Sequence, residues 1–235
     1  MKVSSALRRL VDLLRGVGIL GTVSVLMSVI EDNYLKTFDR KYGVRTSGYI
    51  ELSATSVDPG KRRHSNRYRG VNAWAFRRLL RTLSLPKTLH FVDLGCGLGR
   101  ACILAAEYGF RKVTGVEFAP EFCISARENS LIYRIHAPGA PLINIVQADA
   151  MDYCEQTEDD IYFMFRPFSG EVFRTVLEKI AVRATEQNKA VIIIYSARML
   201  LPKSELGAFS ENRAFCKVYE GGMLGQMFYV YRCDT

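Results

Sequence analysis

The stretch with the most chemical content is Phe91-Val92-Asp93-Leu94-Gly95-Cys96-Gly97-Leu98-Gly99-Arg100. An apolar run enters a loop with glycine at every second position, and a helical pattern follows. Glycine lets the backbone turn tightly and lets a ligand approach with no Cβ in the way. A helix starting directly behind the loop offers free N–H groups. Asp93 stands just before the loop, where it would repel a pyrophosphate and suit a cation. The spacing is GxGxG. It is neither the GxGxxG of dinucleotide loops nor GxxxxGK[ST], which also needs a Lys. A ligand with an ammonium, a sulfonium and no phosphate fits better, and S-adenosylmethionine is such a ligand.

Two further carboxylates stand at the ends of extended runs. Val116-Glu117 closes the next apolar run, and an acid there can accept hydrogen bonds from both ribose hydroxyls. Gln147-Ala148-Asp149-Ala150 follows the third run, and Asp149 can accept from an adenine amino group. Each acid alone reads equally as a helix N-cap or a solvated loop residue. Three in this order behind this glycine loop are far more specific. A ligand is expected at the carboxyl ends of the strands, at the switch point of the sheet.

The elements that must position these residues follow from periodicity. Phe76, Leu79, Leu80 and Leu83 fall at helical spacing with Arg77, Arg78 and Arg81 opposite, and Pro86 closes that helix. Residues 90–94, 112–117, 142–147, 161–165 and 190–195 read as strands. Helices are expected over 100–108, ended by Gly109, from Pro120 to about Tyr133, and after Ser169 through Phe173, Val176, Leu177 and Ile180. Residues 215–220 and 227–232 suggest an antiparallel hairpin around a Gly-rich turn. Strands alternating with helices imply an α/β fold with a doubly wound, mostly parallel sheet and an antiparallel edge.

Composition narrows the class. The 235 residues are 49% apolar and 24% charged with 18 Gly and 7 Pro, which excludes a disordered chain and a collagen. Residues 1–90 hold 17 Lys and Arg against 6 Asp and Glu, so the whole basic excess of the chain lies there. An anionic neighbour or a simple solvated face accounts for it. The six cysteines form no CxxC pair and read as core residues in a reducing compartment, and the three histidines make no metal pattern. Gly16–Ile30 is an uncharged run behind Arg8, Arg9 and Arg15, shorter than the roughly 20 residues of a membrane span. It starts like a signal peptide but has no small-x-small cleavage site. A helix packed on the domain or on a second subunit is expected, with peripheral membrane contact through residues 1–30 as the alternative. Residues 31–70 read as an irregular arm with a short extended piece at 48–52 and a basic run at 61–69.

Residues 90–235 resemble the class I S-adenosylmethionine-dependent methyltransferases, through Asp93-Leu-Gly95-Cys-Gly97-Leu-Gly99, Glu117, Asp149 and the closing hairpin. Tyr42-Gly43-Val44-Arg45-Thr46-Ser47-Gly48-Tyr49-Ile50, Tyr68 and Ala105-Ala106-Glu107-Tyr108-Gly109-Phe110-Arg111 resemble an uncharacterised bacterial group of these enzymes. That group usually ends its fourth strand in Asn-Pro-Phe, where this chain has Arg166-Pro167-Phe168. The resemblance implies a seven-stranded Rossmann-like domain over 71–235, preceded by an N-terminal helix and basic lid over 1–70. It implies S-adenosylmethionine held by Asp93, Gly95, Cys96, Gly97, Gly99, Glu117, Phe118, Asp149 and Ala150, with no metal. Asp93 would face the methionine ammonium and Phe118 would flank the adenine.

Candidates for the acceptor side are Arg166, Phe168 and Tyr68, with Tyr42 and Thr46 from the arm. Pro167 should hold Arg166 extended, free to steer an anionic acceptor or to pair with Asp149 or Glu171. Phe168 walls the acceptor or belongs to the core. A protein side chain or a small molecule is the favoured acceptor. RNA methylation with the basic arm on phosphates, or a non-catalytic cofactor-binding module, are the alternatives. The expected location is cytoplasmic, with or without membrane association.

Overall fold

The computed structural model describes residues 36–50, 56, 68–198 and 205–234. The apolar run at 16–30 and most of the basic run at 61–69 lie outside the described residues. The arm contributes a helical stretch over 36–42 and a two-stranded antiparallel ribbon. The ribbon pairs β1 (Tyr49–Ile50) with β2 (Tyr68–Arg69). Helix α1 (Ala73–Leu83) follows. The Asn72 side chain caps it by accepting from the amides of Trp74 and Ala75, and Ser84 ends it in the left-handed conformation. Its apolar stripe, Phe76, Leu79 and Leu80, is buried as the spacing requires.

The main sheet contains β3 (His90–Leu94), β4 (Lys112–Glu117), β5 (Ile143–Gln147), β6 (Ile161–Phe165), β7 (Val191–Arg198), β8 (Phe215–Met223) and β9 (Gln226–Cys233). Their order is β5-β4-β3-β6-β7-β9-β8. The first five are parallel, and β9 runs antiparallel between β7 and β8. The expected α/β class, parallel sheet and closing hairpin are all present. The hairpin turn is not the Gly221-Gly222 pair, which lies inside β8. It is Leu224-Gly225, with φ of 52° and 77°, the two positive values of a tight two-residue turn.

Period-2 alternation sends β3 and β6 side chains into two layers. Phe91 and Phe163 join one core with α1, α2 (Arg100–Tyr108) and α3 (Pro120–His136). Val92, Leu94, Tyr162 and Met164 join the other with α4 (Ala150–Gln156), α5 (Gly170–Glu186) and α6 (Leu206–Glu211). Strands β3, β6 and β7 are buried on both faces and read as near-continuous apolar runs, whereas edge strand β5 leaves Asn144 and Gln147 exposed. Strand order reverses between β3 and β6, and the crevice for a ligand opens there. The arm joins the first core through Phe38, Tyr42 and Val44. Glu107 anchors it, accepting from the Tyr42 hydroxyl at 2.6 Å and from Arg77 Nε at 2.8 Å.

Candidate cofactor site

The glycine loop turns from β3 into α2 with Gly95, Gly97 and Gly99 at φ of 77°, 53° and 82°. These angles lie in the region that side chains disfavour. Space also demands glycine at two of them. A Cβ on Gly95 would lie 2.3 Å from Cβ of Pro167, and one on Gly97 would lie 2.1 Å from the Tyr68 ring. The loop is thus walled by the end of β6 on one side and by the arm on the other.

A cavity of about 280 Å³ opens over this loop. Asp93, Gly95, Cys96, Gly97, Glu117, Phe118, Asp149 and Ala150 all line it, whereas Gly99 sits behind it against Ala126. Tyr68, Arg166 and Phe168 line it as well. Tyr42 and Thr46 do not: their hydroxyls are spent on Glu107 and on Asp39.

Two buried carboxylates dominate the electrostatics. Asp93 is 4% exposed, and burial, with the charge of Glu117 added, raises its carboxyl to about 8. Its hydrogen-bond partner is the Cys102 thiol, which donates at 3.8 Å. Glu117 is also raised by burial, partly offset by the amides it accepts. Those amides belong to Gly97 on one oxygen and to Phe118 and Ala119 on the other, each at 2.9 Å. A carboxylate offers about four acceptor positions, so roughly one remains for a ligand hydroxyl. Asp149 caps α4 by accepting from the Met151 amide at 3.0 Å. It also lines the cavity, so the N-cap role is present and the side chain stands at the site where a ligand would meet it.

An ammonium beside Asp93 would draw the carboxyl back to its ionised form, whereas a phosphate there would face two buried acids. The residues fit S-adenosylmethionine on that ground and on the glycine cradle.

Comparison with solved structures shows the same fold elsewhere. The ribosomal protein L11 methylase of Lactobacillus delbrueckii subsp. bulgaricus superposes with a TM-score of 0.53 at 17% identity, over 68% of this chain and 77% of that one. A conserved hypothetical protein of Streptococcus pyogenes gives 0.50 at 16%, over 67% and 94%. No curated protein sequence matches the chain. Residues 92–166, from β3 to the turn after β6, match the family model described as a methyltransferase domain.

At the end of the matched stretch, the turn after β6 departs from expectation. Arg166 is not extended: its φ is 43°, a strained value for a residue with a side chain. The turn swings Pro167 onto Gly95, and that close packing holds the strain in place. The Arg166 guanidinium pairs with Glu205, just before α6, at 3.6 Å. Glu205 is 5% exposed and also accepts from the Tyr195 hydroxyl at 3.2 Å. Phe168 is buried against Phe173 with one side on the cavity, so it is core and wall together. Sequence reasoning missed Glu205, and also Arg100, Asp39 and Asn129, which bind the arm to the loop. The signal available for Arg100 was a charge at the first turn of a helix expected to be buried.

Proposed function

We propose that the protein transfers a methyl group from S-adenosylmethionine to a nucleophilic atom of a small molecule or a protein side chain at the carboxyl end of β6. The observation that carries this reading is a glycine-cradled cavity with two buried acids, Asp93 and Glu117, whose burial favours a ligand with an ammonium and hydroxyls.

When bound, the cofactor supplies a methyl already activated on a sulfonium, so the acceptor displaces a neutral thioether. The chain's task is then mainly placement and exclusion of water. Asp93 holds the ammonium, and Glu117 takes a ribose hydroxyl with the acceptor capacity its amides leave. Phe118 flanks the adenine, and Asp149 offers a carboxylate to its amino group. Tyr68 serves as a wall, not a base. Burial raises its hydroxyl pKa, and it donates to the Thr46 carbonyl at 2.7 Å. Arg166, held by Glu205, faces the acceptor end and favours an anionic group there. Phe168 and Pro167 give that end an apolar floor.

The test is incubation of purified protein with methyl-labelled cofactor and lysate fractions, followed by separation of protein, nucleic acid and small molecules. Label in protein or small molecules supports the reading, with transfer reduced in Arg166→Ala. Label in nucleic acid would instead favour RNA as acceptor. Cofactor binding with no labelled product in any fraction would make this a binding module. A thermal shift with NAD and none with S-adenosylmethionine would remove the cofactor assignment.

A further inference from the structure

Tyr68 brings the arm onto the glycine loop at Gly97, and a buried ion pair stands behind it. Arg100, the first residue of α2, is 1% exposed. A cation at that end of a helix is opposed by the helix dipole and by burial. It is held there by the arm. Its Nε donates to Thr46 Oγ1 at 2.8 Å and its Nη2 pairs with Asp39 at 3.0 Å, while Phe38 lies under the guanidinium at 4.7 Å. Asp39 in turn accepts from the Thr46 amide and hydroxyl and from the Ser47 amide and hydroxyl, at 2.6–2.9 Å. The Thr46 carbonyl, fixed by these bonds, accepts from the Tyr68 hydroxyl. Gly70 passes so close that a Cβ there would lie 2.7 Å from Arg100 Nε. Asn129 adds a second tie, accepting from the Arg45 amide and donating to the carbonyls of Arg45 and Leu98.

A buried ion pair is a weak source of net stability, since apolar residues of like volume often do as well. What this one fixes is position. These bonds from Arg100 and Asp39 converge on the segment that holds Tyr68 against Gly97.

We propose that Asp39 and Arg100 form a positioning clasp that seats Tyr68 on Gly97 and so sets the cavity's affinity for the cofactor. This rests on the reading of the cavity as a cofactor site. Tyr68 packs in one cluster with Phe122 and Phe118 and lies over Gly97, whose amide donates to Glu117, so the clasp reaches residues proposed for both halves of the cofactor.

The experiment measures binding of S-adenosylhomocysteine and of adenosine by calorimetry to the full chain and to Asp39→Asn, Arg100→Lys and Thr46→Val. Folding is checked by circular dichroism. S-Adenosylhomocysteine affinity is expected to fall tenfold or more in Asp39→Asn and less in Arg100→Lys, which keeps the charge. Adenosine affinity should fall in the same order, because Tyr68 packs with Phe118 and Gly97 donates to Glu117. Thr46→Val removes only the hydroxyl between the charges and keeps the test open if a charge variant fails to fold. No loss for either ligand, a loss in Arg100→Lys as large as in Asp39→Asn, or failure of all three variants to fold would overturn the clasp. A wild-type chain that binds neither ligand would overturn the cofactor reading itself.

Discussion

Replacing Asp93 by Asn should stabilise the ligand-free protein while weakening its hold on the cofactor. Burial and the neighbouring Glu117 charge raise the Asp93 carboxyl from 3.8 to about 8. Between those values the unfolded chain is ionised and the native chain is protonated. Stability is therefore lost as pH rises through that window. Each unit is worth about 1.4 kcal/mol, so the roughly three units between 3.8 and pH 7 set a ceiling of about 4 kcal/mol. The neutral amide escapes this cost. For a chain of this size, about 1 kcal/mol moves the melting temperature by about 2–4 °C, so the gain should be several degrees at pH 7. The cofactor's ammonium requires the ionised acid, so wild-type affinity should rise about tenfold per unit from pH 6 to about 8, with release of a proton on binding. Asp93→Asn should bind weakly and lose that slope. Scanning calorimetry from pH 4 to 8 reads the first effect, and titration calorimetry in buffers of different ionisation enthalpy reads the second. A variant that melts below wild type at pH 7.5, or a stability difference that does not vanish near pH 4, would refute the argument.

Gly97→Ala meets both a φ of 53° and the Tyr68 ring, so it should cost about 1–3 kcal/mol of stability and displace the arm wall, with at least a tenfold loss of cofactor affinity by calorimetry. Glu117→Ala removes a charged acceptor worth about 1.5–3 kcal/mol per bond, and unchanged cofactor affinity in the folded variant would show that Glu117 does not hold the ribose. S-Adenosylhomocysteine at about 100 times its dissociation constant should raise stability by roughly 2.7 kcal/mol in a thermal-shift assay, a shift that NAD should not give.

Local patterns made the centre of this fold readable. The run from Phe91 to Gly99 announces a buried strand and a tight turn because both depend on residues adjacent in the chain. Helix α4 was not legible, since seven residues give less than two turns of periodicity, although Asp149 at its cap was a usable signal. Helix α6 is shorter still. The boundaries of β7 and β8 ran past the apolar residues because ladder bonds to β9 continue through Ser196, Ala197, Gly221 and Gly222. The ties from Asp39 to Arg100 and from Arg45 to Asn129 join residues 61 and 84 apart. No periodicity encodes such pairs, and only the folded sheet brings them together.

The turn at Arg166 shows how a local rule yields to packing, and it allows backbone and side chain to be separated. The residue before a proline is ordinarily extended. Here an extended Arg166 would carry Pro167 away from Gly95, and the left-handed φ of 43° is what brings the ring onto the loop. A side chain in that conformation costs about 1–2 kcal/mol that glycine avoids. Arg166→Gly and Arg166→Ala lose the same guanidinium and leave the same Glu205 without it. Their difference in stability therefore reports the backbone alone, and Arg166→Gly should be the more stable by about 1 kcal/mol in urea unfolding. If the guanidinium serves the acceptor, both should lose methyl transfer to the same degree while keeping cofactor affinity. Greater stability for Arg166→Ala would deny the strain, and full transfer by both would place the acceptor away from this turn.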